Sequence, residues 1–257
     1  IELKNHSQDV GLEFLSTPSS IAAVNLLEEI GVDRYKVGSG DISNNLLLKK
    51  LSLLDKPIIL SSGMSTVEEL KEAMDELNNL SVDKISILQC TSKYPTQAHE
   101  IGLDQIKNYK KIFNCSVGYS DHSGNIASCF AATSLGAEIL EFHVTFDKKM
   151  FGPDSDSSIE IRDIPSFIKN INYIKDIIDN PSQSKLSNEI IDLKEIFEKS
   201  LSVNKDLNQN DIITFDDLES KKPKNKGINA KNYSQVIGKK LVRNKRKNDF
   251  LDKGDIE

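Results

Sequence analysis

A chain of 257 residues with 38% hydrophobic and 28% charged side chains can bury one large α/β core, or a core of about 200 residues beside a small second domain, without disulfide staples. No apolar run approaches the ~20 residues that cross a bilayer, which excludes a membrane span; Cys90, Cys115 and Cys129, with no CxxC spacing and no secretory signal ahead of them, read as reduced thiols of a cytoplasmic protein. The net charge of −6 hides eleven Lys and Arg and no Asp or Glu within residues 221–247, so the remainder stands near −17; with Tyr233 its one aromatic, that stretch reads as a solvated or phosphate-steering face and not as a nucleic-acid surface.

Residue 1 is Ile and the first methionine is Met64, so the chain is expected to be a fragment unless it was processed. From residue 12 to about 178 a short apolar run, a cluster of small or polar residues and a helical pattern recur. The runs are 12–16, 34–39, 57–62, 84–90, 115–119 and 137–144, several of them apolar on both faces as parallel strands are. A helix is predicted from about Ser20 to Ile30 with Gly31 as its stop. Another is predicted over 66–79, with Ser65 as N-cap, Glu68 three residues on, and Val67, Leu70, Met74 and Leu77 on one face. Strand–helix repetition at this spacing gives an α/β fold, a (β/α)8 TIM barrel or an open doubly wound sheet. Six strands would leave a barrel lacking its first two, with unpaired edges at runs 12–16 and 137–144.

After a last helix near 163–178, residues 180–184 read as a linker and a further helix spans about 187–198. The rest has short β-like runs (200–203, 211–215, 240–243) among Asn, Gly and Pro. The expected organisation is a partial barrel over 1–180, a linker and helix over 181–198, and a small β-rich domain over 199–257.

A parallel barrel places its active site at the C-terminal strand ends, and these are rich in polar residues. Lys36 lies within an apolar run, where a lysine either finds an anionic partner or snorkels. Small residues follow, Gly38-Ser39-Gly40-Asp41 and Ser61-Ser62-Gly63, which let backbone N–H groups approach an anion. Glu141 and His143 alternate with Leu140, Phe142 and Val144, so both polar side chains point into the mouth. His122 ends the preceding run, and two imidazoles on adjacent strands are close enough to share a metal. A two-His set leaves positions for water and substrate oxygens, which suits Mn²⁺ first, with Mg²⁺ or Co²⁺ as alternatives, over structural zinc. Ser120-Asp121-His122 is no catalytic triad, because neighbouring strand residues face opposite ways. His6 and His99 default to the surface, and Gly152-Pro153-Asp154 reads as a turn whose Asp reaches the mouth.

The segments 35–41 (YKVGSGD), 57–64 (PIILSSGM), 89–95 (QCTSKYP), 118–122 (GYSDH) and 141–154 (EFHVTFDKKMFGPD) resemble, in order, the signatures of the sialic acid synthase family, and the tail resembles its antifreeze-like SAF domain. The resemblance implies condensation of phosphoenolpyruvate with an N-acylated hexosamine (N-acetylmannosamine or a 2,4-diacetamido-trideoxyhexose) to give a nonulosonic acid and phosphate by C–O cleavage. It implies His122 and His143 as metal ligands, and Lys36, Ser39, Ser61 and Ser120 as phosphoenolpyruvate contacts. On the amino-sugar side it implies Asp41, Ser92, Tyr94 and Asp154, with His122, His143, Lys36 and Asp154 catalytic. It also implies a domain-swapped homodimer.

Against the family pattern, a first-strand Glu and a second-strand Lys or Gln are absent, so the chain alone is expected to be inactive and poorly soluble. Ser92 stands where N-acetylneuraminate synthases often have Asn, which leaves legionaminate-type products open. Lys222-Pro223-Lys224 replaces Arg-Pro-Gly, so Lys222 keeps a charge without bidentate geometry. The competing expectation is a non-catalytic truncated barrel serving as a binding module; a metal hydrolase lacks a third ligand.

Overall fold

The computed structural model describes residues 1–181 and 186–257, and the chain divides into two compact units, residues 1–181 and 182–257. The first runs α1 (Glu2–Asp9), α2 (Ile21–Ile30), β1 (Tyr35–Val37), α3 (Asn45–Ser52), β2 (Ile58–Ser61), α4 (Val67–Glu76), β3 (Ile85–Cys90), α5 (Asp104–Phe113), β4 (Ser116–Asp121), α6 (Ile126–Ser134), β5 (Leu140–Thr145), β6 (Ser158–Glu160) and α7 (Ile164–Asp179). The six strands form one parallel sheet in sequential order, β1 to β6.

Strand parity sorts the side chains. Tyr35, Val37, Ile58, Leu60, Ile85, Ile87, Val117 and Tyr119 pack with the helices in the main core, joined by Leu140, Phe142 and, from α7, Phe167. The alternate positions, Lys36, Ile59, Ser61, Leu88, Cys90, Ser120, Glu141 and His143, line the other face. The sheet is curled around that second face. Strands lie about 4.8 Å apart, so β1 and β5 would be about 19 Å apart in a flat sheet, yet the Lys36 ammonium lies 2.9 Å from the Glu141 carboxylate. This is the curvature of a partial barrel, with β1 and β6 at its edges.

Two strand expectations are corrected. Residues 12–16 form no strand: the Lys36 N–H meets the Ser16 carbonyl at 3.5 Å without a ladder, and Leu12 and Leu15 are exposed. The sixth strand is instead β6, too short and too polar around its one buried aliphatic, Ile159, to stand out as an apolar run. The edges therefore fall at β1 and β6, not at 12–16 and 137–144. Helix α2 has the expected Ser20 cap and Gly31 stop. Helix α4 starts one residue later than expected, with a capping box made by Thr66 and Glu69 in place of Ser65 and Glu68. Helix α1, which buries no residue, has no apolar stripe by which to read it.

In the second unit α8 (Asn188–Phe197) precedes an antiparallel pair, β7 (Ser200–Val203) and β8 (Leu218–Lys221). The predicted runs 211–215 and 240–243 meet only in the isolated bridge Ile212–Lys240. Leu201, Val203, Leu207, Ile213, Val236, Leu241 and Leu251 make its small core. Ser182 to Ser184 of the expected linker lie outside the described residues. No helix among the described residues is long and apolar enough to cross a membrane.

Candidate active site

The sheet register builds the site. Cys90 pairs with Ser120, and Ser120 with Glu141, so three polar side chains form a row across β3, β4 and β5 on the inner face. Ser120 Oγ donates to Glu141 at 2.7 Å and Lys36 reaches the same carboxylate. Glu141 is thus the anionic partner of the half-buried lysine, a role in the site that strand parity alone did not assign. The signal was present: an inward-facing acid and an inward-facing lysine in one barrel.

His122 follows β4. Its Nδ1 lies 2.9 Å from the Thr91 carbonyl, which can only accept, so Nδ1 carries the proton and Nε2 keeps its lone pair. Tyr94 stacks on this imidazole with ring centroids 4.1 Å apart, and its hydroxyl donates to Nε2 at 3.1 Å. Burial first, then the neighbouring Cys90, Asp154 and Glu141, pushes the Tyr94 phenol up, which keeps it a donor. The His143 ring lies 5.2 Å from that of His122, centroid to centroid, and its Nδ1 is 3.6 Å from the Asp154 carboxylate. Burial, and after it the adjacent His122, holds the His143 imidazolium below the ordinary histidine value despite Asp154 and Glu141. Neutral imidazole is the form that binds metals.

On the β1–β2 side, Ser39 Oγ accepts from the Gly63 N–H at 3.1 Å and lies 3.8 Å from Cys90 Sγ. A Cβ on Gly63 would press on Ser92 Oγ and lie 2.8 and 2.9 Å from Cys90 Sγ and Ser39 Oγ, so any other residue there would have to turn these three side chains aside. Burial pushes the Cys90 thiol up, against the bonds from Ser39 and Ser120, so it packs as a thiol. Ser61 is buried and its Oγ has no hydrogen-bond partner, a hydroxyl that calls for a ligand or a water.

The structure therefore brings Lys36, Ser120, Tyr94, His122, His143 and Asp154 together, and sets Ser39 beside Ser92. The Asp41 carboxylate accepts from Asn44 Nδ2 at 3.1 Å where the chain turns into α3. Lys222 belongs to the second unit, where its ammonium sits 4.3 Å from the centroid of the Phe197 ring. His6 and His99 are exposed. Asp121 makes no catalytic triad: its carboxylate accepts from Tyr119, Ser123, Ser128 and Gly124.

The donor set fits a divalent ion taking two nitrogens from the protein. His122 has its far nitrogen tied to a backbone carbonyl, the outer-shell arrangement typical of ligating histidines. No group of three or more His, Cys, Asp or Glu side chains among the described residues is placed to hold an ion.

Comparison with known proteins gives the chain relatives along its whole length. A model of the NeuB family matches residues 1–183, and a model of the SAF domain matches residues 198–257. The chain is 36% identical over 256 residues to N,N'-diacetyllegionaminic acid synthase of Campylobacter jejuni, covering 97% of this chain and 75% of that protein. It is 31% identical over 242 residues to human N-acetylneuraminate-9-phosphate synthase, covering 94% and 67%. Among solved structures it is similar to N-acetylneuraminic acid (sialic acid) synthetase of Leptospira borgpetersenii in complex with citrate, with TM-score 0.69, 30% identity, and coverage of 75% of this chain and 67% of that one.

Proposed function

Because the chain belongs to the NeuB family, with a SAF domain at its C-terminal end, we propose that it condenses phosphoenolpyruvate with an N-acylated hexosamine to give a nonulosonic acid and phosphate. The observation that carries this reading is the juxtaposition, at one end of a curled parallel sheet, of the Lys36 ammonium and two imidazoles with ring centroids 5.2 Å apart. A cation there suits an anionic substrate, and paired nitrogens suit a divalent ion.

Lys36, Ser39, Ser61 and Ser120 bind the phosphate and carboxylate of phosphoenolpyruvate; the unpartnered Ser61 hydroxyl supports this assignment. Lys36 keeps its bond to Glu141, which orients the ammonium, and turns its remaining N–H donors to the substrate. His122 and His143 hold the metal, Mn²⁺ in the first instance with Mg²⁺ or Co²⁺ as alternatives, which when bound supplies Lewis acidity toward the aldehyde of the open-chain sugar. Tyr94, Ser92 and Asp154 face the sugar, and Asp154 also orients the His143 ring. Carbon 3 of phosphoenolpyruvate attacks the aldehyde carbon, water adds at C2, and phosphate leaves with its bridging oxygen. Fixed donors around a developing charge lower the barrier of such a step.

N,N'-Diacetyllegionaminic acid synthase among the relatives, together with Ser92, favours a 2,4-diacetamido-trideoxyhexose over N-acetylmannosamine as the acceptor. The test supplies phosphoenolpyruvate, Mn²⁺ and each sugar to the chain restored to full length with the family's first two strands, and follows phosphate release and the mass of the product. In ¹⁸O-water, label at C2 of the product and none in the phosphate is expected; absence of product with every sugar would refute the proposal. The reading extends to a homodimer, supported by the exposed Ile190, Ile191, Leu193, Ile196 and Phe197 of α8 and by the basic 221–247 stretch against an acidic remainder. Sedimentation of an active species as a monomer would refute that part.

A further inference from the structure

The turn that follows β4 reaches well beyond itself. Asp121 is fully buried beside His122, and no cation lies within ion-pair distance of it among the described residues. Four donors satisfy it instead: Tyr119 Oη at 2.8 Å, Ser123 Oγ and Ser128 Oγ at 2.7 Å to one oxygen, and the Gly124 N–H at 3.1 Å to the other. A buried carboxylate without a counter-charge is costly unless its hydrogen bonds are needed where they are. Here they fix the 121–124 turn onto both its own strand and the first turn of α6.

The fixed turn then bears on the opposite side of the site. Gly124 has a φ of +65°, and a Cβ on it would lie 2.5 Å from the Asp156 carbonyl oxygen and 2.9 Å from the Ser157 carbonyl carbon, so the turn rests directly on the segment ahead of β6. That segment carries Asp154, whose carbonyl accepts from the Ser157 N–H at 3.1 Å and from Ser158 Oγ at 2.7 Å. Lys148, just past β5, closes the circuit: its ammonium donates to the Gly124 carbonyl at 2.9 Å and its N–H to Glu160 of β6 at 3.0 Å.

We propose that Asp121, Gly124 and Lys148 form one positioning unit that holds His122, after β4, and the Asp154 segment, ahead of β6, at a fixed separation across the site. The proposal rests on the roles given above to His122 and Asp154, and it says which half of the site depends on the unit. Ser39 and Ser61, on the β1–β2 side, make none of these contacts.

Three variants of the full chain test it. Asp121→Asn keeps one oxygen for the hydroxyls but turns an NH₂ toward the Gly124 N–H; Gly124→Ala drives a methyl into the Asp156 carbonyl; Lys148→Met removes the surface tie alone. In hydrogen exchange, amides 155–160 are expected to exchange about tenfold faster or more, as the loss of about one net hydrogen bond from a local opening would give, while those of 58–61 and 85–88 keep wild-type rates. In the condensation assay kcat/KM for the amino sugar falls by a similar factor, while KM for phosphoenolpyruvate stays within about twofold. Exchange rising equally across the sheet would make the role structural only and overturn the proposal, as would unchanged exchange at 155–160 in Gly124→Ala and Lys148→Met. Should Asp121→Asn fail to fold, Lys148→Met carries the test from an exposed position. If the chain restored to full length turns over no sugar, the proposed function falls, and the exchange comparison still decides the positioning unit.

Discussion

The two units of the chain are stabilised in different ways. The sheet unit rests on a continuous apolar core, in which Phe167 of α7 meets Phe142 of β5 and Phe130 of α6 at ring-centroid distances of 5.0 and 5.7 Å. The second unit has seven buried aliphatic residues in its core and adds buried carboxylates to them. Asp255, wholly buried, is held by Arg243, by the Lys245 ammonium at 2.5 Å and by the Asp252 N–H at 2.8 Å; Asp217 is held by Lys205 at 2.6 Å and by Thr214. A unit too small to bury much apolar surface is ordered by charge-assisted hydrogen bonds at the turns, which makes it the unit that pH should reach.

The largest expected effect is on the apolar side of this contrast. Phe167→Ala should cost the sheet unit about 3–5 kcal/mol in urea unfolding, with no dependence on salt; a loss below about 1 kcal/mol would mean that the core closes without it. Next, Asp255→Asn leaves Lys245 buried beside a neutral partner and should cost the second unit about 3 kcal/mol, measured by the same titration followed by hydrogen exchange of the β7 and β8 amides. Burial raises the Asp255 carboxyl, but its bonds to Asp252, Lys245 and Arg243 outweigh this and hold it below the ordinary 3.8; Asp217 behaves in the same way, through Lys205 and Thr214. A carboxyl lowered on folding contributes stability that is present above its unfolded value and disappears as pH falls through its folded one. The second unit should therefore lose stability below about pH 4, and Asp255→Asn should flatten that decline. The smallest effect is at α4, where Thr66→Ala removes half of a capping box for about 1 kcal/mol; hydrogen exchange confined to the first turn of α4 would report it.

The same contrast governs what could be read from the sequence. Apolar packing leaves a period: the alternation of Leu140 and Phe142 with Glu141 and His143 gave the strand, the face and two site residues at once. Short or charge-held structure leaves none. Ser158–Glu160 is a strand because the sheet continues past β5, not because three residues with one aliphatic prefer to be one. Run 12–16 has the composition of a strand but no neighbouring ladder. At α4 the Ser65/Glu68 and Thr66/Glu69 frames are equally good capping boxes on paper, and packing of Leu70 and Ala73 selects the second. Within the site, Lys36 and the histidines were legible from residue type and strand position, while Asp154 read only as part of a turn and took its place in the site from the resemblance. Glu141 as the partner of Lys36, and Gly63 and Gly124 as points of close contact, depend on curvature and on loops crossing, which no local pattern records.

The most direct test of the site is His143→Ala in the chain restored to full length, assayed for condensation across a Mn²⁺ titration and compared with the unsubstituted full-length protein in thermal unfolding. With one imidazole left, turnover at micromolar Mn²⁺ should fall by more than the ~10–100-fold typical of outer-shell losses, while the unfolding temperature stays near that of wild type because His143 is half-buried at the mouth and outside the core. A variant that folds and turns over like wild type at that Mn²⁺ concentration would contradict the assignment of the paired histidines, and with it the proposed chemistry of the site.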